Sequence, residues 1–217
     1  MYDAVLFDDD GVLVEPPAPG TQYAAVRDAF RAVGADGPDD DHVRALTAGV
    51  IVEELEDIGA AYDVDPERLW AARERHDERS QFEAFRAGDW DRYDDVAAVE
   101  DLPHASGIVS NNHHTTIEFL VNRFGRTETF DTYYGREMTV ESLERKKPNT
   151  QYLERAPADF SAESALYIGD SGSDVVAAHR AGLDSAFVRR PHVRGAELPA
   201  EPTHEVETLH EVAALPD

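Results

Sequence analysis

Four short apolar runs alternate with helical patterns along this chain, and that alternation limits its possible folds more than any other feature. The runs are AVLF before Asp8, GIVS ending at Ser110, ALYI ending at Ile168 and SAFV ending at Val188. Their length and β-prone composition predict strands. Strands that alternate with helices favour a parallel sheet that is covered by helices on both faces.

A long stretch between the first two strands breaks the alternation. Residues 16–96 contain only helical patterns, one of which opens with Asp65 and Pro66, a favourable helix start. A crossover between parallel strands needs one helix, so we predict an inserted all-helical domain over residues 16–96. Residues 1–15 and 97–217 are then expected to form an α/β core, a Rossmann-like doubly wound parallel sheet with its first strand central.

Four polar clusters lie at or just after strand ends, in residues 8–10, 110–112, 146–147 and 169–174. Open parallel sheets bind ligands at the edge where the carboxyl ends of their strands meet. Each cluster alone is a weak signal, but the four together predict one functional site at that edge.

The charge of the chain is strongly negative, with 45 acidic and 20 basic residues and a formal net charge of −25. Such a surface repels nucleic acid and anionic lipid, so we expect neither as a partner. We interpret the acidic excess as the solvated surface of a protein adapted to high salt. The chain has no cysteine, no secretory pattern and no apolar stretch near the ~20 residues that span a bilayer, so we expect it in the cytoplasm.

Lysine occurs only as the adjacent pair Lys146 and Lys147, because the other basic residues are all arginine. An ammonium is a compact point charge, whereas a guanidinium is a broad planar fork. The pair therefore suggests at least one site that requires an ammonium, and two ordinary surface lysines are the alternative.

Taken together, these segments resemble the haloacid dehalogenase superfamily of phosphotransferases. DDDGVL is similar to its first motif, IVSNN to its second, KKP to its third and IGDSGSD to its fourth. The helical insertion resembles the C1 cap of that family. The resemblance implies a phosphatase that hydrolyses a small phosphorylated metabolite.

The resemblance also implies roles for the aspartates of the first motif. Asp8 would be the nucleophile that forms an aspartyl phosphate, and Asp10 would be the general acid and later the base. Residues two apart in an extended chain project to the same side, so Asp8 and Asp10 can share a site. Asp9 is expected to point away, as a solvated or capping acid.

A magnesium ion is the cofactor that the resemblance implies, since oxygen ligands favour a hard cation. Its expected ligands are the Asp8 carboxylate, the Asp10 backbone carbonyl, the Asp170 carboxylate and Asp174, which binds directly or orients a water. The phosphate group would be held by Ser110, Lys147 and nearby backbone groups, with Asn111 among them. Lys147 is preferred over Lys146 because the lysine of this motif directly precedes proline. His113 and His114 could line the substrate pocket, although exposed loop histidines are the more common case.

Several other functions are compatible with the sequence. A sugar phosphomutase of the same superfamily shares the four motifs, and a catalytically silent binding protein can use any fold. A signalling receiver domain has similar polar groups but lacks the helical insertion. True dehalogenases of the family lack the second aspartate, and the phosphonate-cleaving branch needs a cap lysine, which residues 16–96 do not contain.

We expect added salt to raise the melting temperature of this protein. Repulsion among 45 acidic residues outweighs attraction by 20 basic ones, and counterions screen that repulsion. Thermal melts from low to molar potassium chloride measure the effect. A flat or falling melting temperature would contradict adaptation to high salt.

Overall fold

The computed structural model describes residues 2–99, 102–124 and 129–215. Its contacts divide the chain into two compact units. The sheet unit comprises Met1–Pro16, Asp91–Gly135 and Lys147–Asp217, and the helical unit comprises Pro17–Trp90 and Arg136–Lys146.

The sheet has six strands in the order β3-β2-β1-β4-β5-β6 and is parallel, so the predicted fold class is confirmed. The strands are β1 (Ala4–Phe7), β2 (Ala105–His113), β3 (Thr132–Arg136), β4 (Ala165–Gly169), β5 (Asp184–Val188) and β6 (His204–Val206). The first strand pairs with β2 on one side and β4 on the other, and it is therefore central, as predicted.

Both faces of the sheet are buried, which explains why its strands read as continuous apolar runs. Val5 and Phe7 pack into one hydrophobic cluster, whereas Leu6 between them packs into another on the opposite face. On β4, Ile168 joins the first cluster and Tyr167 the second.

The helical unit contains α1 (Pro19–Val33), α2 (Asp40–Ala48), α3 (Val52–Ala61) and α4 (Pro66–Ala87). Asp65 caps α4 as predicted, since its Oδ1 accepts a hydrogen bond from the Arg68 amide at 2.9 Å. The sequence of residues 41–62 predicts one continuous helical stretch, but the structure divides it into α2 and α3 near Gly49, whose φ of 105° lies in the region that favours glycine.

The helices of the sheet unit are α5 (His114–Arg123), α6 (Gln151–Asp159), α7 (Gly172–Arg180) and α8 (Leu209–Val212). The sequence predicts that α6 stops before Pro157, and this is wrong because α6 includes that proline in its last turn. The sequence also predicts that α5 closes at Gly125, which lies outside the described residues. The short strands β3 and β6 have no counterpart among the predicted strands. No helix in the described part of the chain is long and apolar enough to cross a membrane.

The units differ from the predicted domain limits in two places. Residues 91–96 lie in the sheet unit, and Arg136–Lys146 lies in the helical unit although Arg136 is the last residue of β3. Trp70 donates a hydrogen bond to the Thr139 carbonyl at 3.1 Å, and Leu143 packs into the hydrophobic cluster of the helical unit. The helical unit therefore contains one lysine, Lys146, although residues 16–96 contain none. This lysine weakens the exclusion of the phosphonate-cleaving branch, which assumed a helical unit without lysine.

A buried ion network holds the Arg136 segment to α4. Glu74 has no exposed surface. Its Oε1 accepts a hydrogen bond from Arg73 Nη1 at 2.8 Å, and its Oε2 accepts one from Arg136 Nη1 at 3.0 Å. Both guanidiniums also lie over the ring of Trp70. Arg73 also binds the buried Asp77 at 3.1 Å, so Glu74 is the carboxylate that contacts both guanidiniums.

We expect Glu74→Gln to destabilise the protein by about 3–5 kcal/mol, because it leaves buried guanidinium charge uncompensated. Urea unfolding at constant salt measures this change. Glu83→Gln is the matched control, because it removes the acid of the exposed Arg79–Glu83 pair on the same helix and should change stability little. Equal effects of the two substitutions would contradict the importance of the buried network.

Candidate active site

The ammonium of Lys147 lies at the centre of the polar groups on the sheet edge. Its Nζ lies 3.0 Å from Asp8 Oδ1 and 2.7 Å from Asp174 Oδ1. The same ammonium donates hydrogen bonds to the Tyr167 hydroxyl at 2.5 Å and to the Val109 carbonyl at 3.3 Å. Burial alone would lower the pKa of Lys147, but the charges of Asp174 and Asp8 raise it above its ordinary value. Lys147 is therefore a cation fixed between the first and fourth motifs.

Asn111 fixes the backbone of Lys147. Asn111 Oδ1 accepts from the Lys147 amide at 2.8 Å, and Asn111 Nδ2 donates to the Lys147 carbonyl at 3.4 Å. The side chain of Asn111 thus positions the lysine. Its predicted contact with phosphate stays a prediction.

Asn112 connects the first and second motifs, although its place in the sequence gave no separate reason to select it. Its Nδ2 donates to Asp10 Oδ2 at 3.1 Å, and its backbone amide donates to Ser110 Oγ at 3.2 Å. Ser110 lies within β2 rather than at its end, two residues beyond the last pair between β1 and β2, Phe7 with Ile108. The strand continues past its partner, and this extension brings its polar residues to the first motif.

The first motif forms a turn and does not continue the strand, since β1 ends at Phe7. The Asp9 carbonyl accepts hydrogen bonds from the amides of three residues, Val12, Leu13 and Val14. The side chain of Asp9 is only 2% exposed and borders a small, mainly apolar cavity of about 30 Å³ together with Ile108 and others. The expectation of a solvated Asp9 is therefore wrong, because the turn folds this residue inwards.

Three carboxylates face one another at the sheet edge. Oxygen atoms of Asp8, Asp170 and Asp174 all lie within 4.8 Å of one another. Burial and the charges of Asp174 and Asp170 raise the pKa of Asp8 to about 7, although Lys147 opposes the shift. Burial and Asp174 likewise raise the pKa of Asp170. One lysine does not compensate three acids, so the charge and the oxygen-only donor set fit a divalent cation.

Two glycines allow these carboxylates to approach. Gly11 has a φ of 79°, and a Cβ at this position would lie 1.9 Å from Asp170 Oδ2. A Cβ at Gly169 would lie 2.3 Å from the Asp174 Cβ. Steric contact therefore explains why glycine occupies these positions of the first and fourth motifs, because any larger residue would displace a carboxylate of the cluster.

Hydrogen bonds orient Asp170 and Asp174. Asp170 Oδ2 is 2.7 Å from His192 Nε2, in the short 3-10 segment Pro191–Val193 after β5. Asp174 Oδ2 accepts from the backbone amide of Ser171 at 2.9 Å and from its hydroxyl at 2.7 Å. Nothing in the sequence distinguished His192, because no motif or spacing links it to Asp170, 22 residues away.

The two histidines after the second motif are not an exposed pair. His113 is 1% exposed, and His114 stacks on Tyr133 with 5.4 Å between the ring centroids. The expectation of exposed loop histidines is therefore wrong for His113, and a contact of either residue with substrate stays a prediction.

Comparison with known proteins places this site in a family. The model of the haloacid dehalogenase-like hydrolases matches residues 5–188, which include all four motifs. The chain is 31% identical to an (S)-2-haloacid dehalogenase of Pseudomonas putida over 56% of the chain and 54% of that protein, so it spans about half the length of this curated relative. It is 26% identical to a phosphoglycolate phosphatase of Cereibacter sphaeroides over 98% of the chain and 95% of the relative. The crystal structure of CbbY from Rhodobacter sphaeroides in complex with phosphate has the same fold, with a TM-score of 0.74 and 21% identity over 98% of this chain and 96% of that one.

We expect Asp9→Asn to raise the melting temperature by a few degrees at pH 8 and to have a smaller effect near pH 4. Burial and the charge of Asp8 raise the pKa of Asp9 to about 7, from an ordinary value near 4. The folded state holds this proton over that range, so the wild type loses stability as the pH rises from about 4 to about 7, and the amide variant avoids the loss.

Thermal melts at both pH values and constant salt measure the difference. Asp57→Asn, at an exposed position of α3, is the control and should change the melting temperature equally at both pH values. A pH-independent gain for Asp9→Asn would contradict a buried, protonated Asp9.

Proposed function

Since the chain belongs to the haloacid dehalogenase-like hydrolases, we propose that it is a magnesium-dependent phosphatase that hydrolyses a small phosphate monoester through an aspartyl phosphate on Asp8. The observation that carries the proposal is the buried Lys147 ammonium, in contact with both Asp8 and Asp174. An ammonium beside a nucleophile is suited to hold an anionic group there. Similarity to a phosphoglycolate phosphatase over almost the whole chain supports the same activity.

Asp8 has the surroundings that a nucleophilic carboxylate needs. Its Oδ1 accepts a hydrogen bond from the Asp9 amide at 2.8 Å and contacts Lys147, so the carboxylate is held in one orientation. Attack by Asp8 on the phosphorus forms the aspartyl phosphate and breaks the bond to the leaving oxygen. Lys147 and the Ser110 hydroxyl would hold the equatorial oxygens, where negative charge is greatest.

Asp10 is the general acid in this proposal. Its carboxyl group is oriented by Asn112, whose Nδ2 donates a hydrogen bond to Asp10 Oδ2. In the first step Asp10 protonates the leaving alkoxide, and in the second it removes a proton from the water that hydrolyses the aspartyl phosphate. The same carboxyl group thus serves both steps, and the proton taken from water returns Asp10 to its protonated state.

Asp8, Asp170 and Asp174 would hold a magnesium ion, with the Asp10 carbonyl as a further ligand. The ion would supply positive charge to the phosphoryl oxygens. His192 and Ser171 would hold the carboxylates of Asp170 and Asp174 in orientation. Dependence of phosphate release on added magnesium, after treatment with a chelator, tests the choice of cation.

Dehalogenation is a second candidate, because the chain is 31% identical to a haloacid dehalogenase over part of its length. Asp10 argues against it, since the dehalogenases of this family lack the second aspartate. A sugar phosphomutase and a catalytically silent binding protein are the third and fourth candidates. Chloride release from a 2-chloroacid would favour a dehalogenase over the phosphatase, transfer between sugar positions would favour a mutase, and no turnover on a broad panel would favour a silent protein.

We expect Asp8→Asn to abolish turnover and phosphoenzyme formation, because a carboxamide is a poor nucleophile. Asp10→Asn should slow hydrolysis of a sugar phosphate by roughly 10²–10⁴-fold, because the leaving alkoxide loses its acid. An aryl phosphate has a weakly basic leaving group, so with Asp10→Asn its phosphoenzyme should form and accumulate. Acid trapping of the phosphoenzyme and steady-state rates in magnesium and molar salt measure these outcomes.

Asp9→Asn is the internal control for this series. Its side chain borders the apolar cavity, so the substitution should change turnover little. If Asp9→Asn were as damaging as Asp8→Asn, or if Asp8→Asn still became phosphorylated at this strand end, the assigned roles would be wrong.

A further inference from the structure

Tyr167 is a buried tyrosine whose hydroxyl lies inside the candidate active site. It has no exposed surface, and its ring belongs to the hydrophobic cluster that also contains Leu6 and Val109. Tyr167 lies on β4, three residues before Asp170. A phenylalanine ring would fill the same place in the core, so packing alone does not explain the hydroxyl. A buried tyrosine hydroxyl usually has a hydrogen-bond partner, and both partners of this one belong to the site.

The hydroxyl of Tyr167 connects the Lys147 ammonium to the backbone of β2. It donates its hydrogen to the Val109 carbonyl at 2.7 Å, and its oxygen accepts a hydrogen bond from Lys147 Nζ at 2.5 Å. Burial and the charges of Asp8 and Asp174 raise the pKa of Tyr167 above its ordinary value, so the hydroxyl keeps the proton that it donates. A hydroxyl has a single donor, and because Val109 takes it, the oxygen acts only as an acceptor towards the ammonium.

The Lys147 ammonium has three donors, but four acceptors surround it among the described residues. The Asp8 carboxylate, the Asp174 carboxylate and the Tyr167 hydroxyl lie 3.0, 2.7 and 2.5 Å from Nζ, whereas the Val109 carbonyl lies 3.3 Å away. The Tyr167 hydroxyl therefore takes the place of the ammonium as the close donor to Val109. Without this hydroxyl, the carbonyl would keep the ammonium as its donor and would draw it towards the backbone of β2.

On the basis of the phosphatase function proposed above, we propose that Tyr167 is a positioning residue for the ammonium that binds the phosphoryl group. Its hydroxyl holds Lys147 Nζ against Asp8 and Asp174 and keeps it from moving onto the Val109 carbonyl. The Tyr167 ring, whose centroid is 5.1 Å from Nζ, attracts the same cation. Tyr167 acts through Lys147 and does not touch the substrate. Transfer to Asp8 depends on the place of this charge, because a misplacement of about 1 Å can lower a rate 10²-fold.

Tyr167→Phe tests the proposal, because it keeps the ring and removes only the hydroxyl. We expect kcat/KM for a phosphate monoester to fall about tenfold or more, since a hydrogen bond that fixes a charged group is lost. The inhibition constant of orthovanadate, which resembles the transition state of phosphoryl transfer, should rise by a similar factor. Steady-state rates and inhibition in magnesium and molar salt measure both quantities. A merely structural defect would lower kcat through loss of folded enzyme and would leave the inhibition constant unchanged.

The matched control is Tyr134→Phe, which removes a tyrosine hydroxyl beside the same hydrophobic cluster. The Tyr134 ring packs against that cluster, but its hydroxyl donates to Asp159 at 2.5 Å and has no contact with Lys147. This variant should retain the kcat/KM and the vanadate inhibition of the wild type. Melting temperatures of both variants verify that they are folded.

Nuclear magnetic resonance of lysine-labelled protein observes the ammonium directly, because the chain contains only two lysines. With ¹⁵N and ¹³C in lysine alone, Lys146→Arg assigns the two sets of side-chain signals. Tyr167→Phe should shift the ε-methylene and ammonium signals of Lys147 and leave those of Lys146 in place, and Tyr134→Phe should shift neither set. In the wild type, a nuclear Overhauser contact between the Lys147 ε-methylene and the Tyr167 ring is expected, and this measurement requires no variant at position 167.

Three results would overturn the inference: wild-type kcat/KM and vanadate inhibition in Tyr167→Phe, unshifted Lys147 signals in that variant, or equal losses in Tyr167→Phe and Tyr134→Phe. Absence of the Overhauser contact in the wild type would also contradict it. Failure of the proposed function is a separate outcome. If the wild type releases phosphate from no substrate, the phosphatase proposal fails, and the lysine signals still decide whether the Tyr167 hydroxyl positions Lys147.

Discussion

The charge on Lys147 is the constraint on which the candidate active site depends. Its ammonium lies between Asp8, at the end of β1, and Asp174, at the start of α7, and it also binds the Val109 carbonyl of β2. Without this cation, buried carboxylates from two loops would face one another at short distance, which is electrostatically unfavourable. The ammonium does not compensate all three carboxylates. The remaining negative charge is what a divalent ion would neutralise.

Close approach of the loops is the second requirement, and the glycines of the motifs provide it. Gly11 and Gly169 lie where a Cβ would collide with Asp170 and Asp174. The carboxylates are thus brought together by the parallel strands and kept together by the lack of side chains beside them. Asn111, Asn112 and His192 then fix the orientation of Lys147, Asp10 and Asp170. These contacts hold the three side chains in defined orientations.

In the helical unit, too, buried charges are compensated by side chains of opposite charge, but here a carboxylate compensates guanidinium groups. Glu74 contacts both Arg73 and Arg136, so a buried ion network and the hydrogen bond of Trp70 attach the segment Arg136–Lys146 to α4. That segment ends with Lys146, whose ammonium makes no ion pair among the described residues. Two consecutive lysines thus differ in their surroundings, because Lys147 contacts two carboxylates and Lys146 makes no ion pair among the described residues.

The sequence by itself determined the four inner strands β1, β2, β4 and β5, the central place of the first strand, and the helical character of the stretch between the first two strands. These features depend on local patterns: apolar runs of strand length, helical periodicity, and polar residues directly after strands. The polar clusters at the strand ends could be selected in this way, because strand ends of a parallel sheet meet at one edge, whereas the choice of Asp8, Asp170, Asp174 and Lys147 within them came from the resemblance to a known family. Only the tertiary structure decided the burial of Asp9, the contact of His192 with Asp170 and the membership of Lys146 in the helical unit. Each depends on contacts between residues distant in sequence, such as Arg136 with Glu74, 62 positions apart, and no local pattern records which distant charges or apolar surfaces will meet.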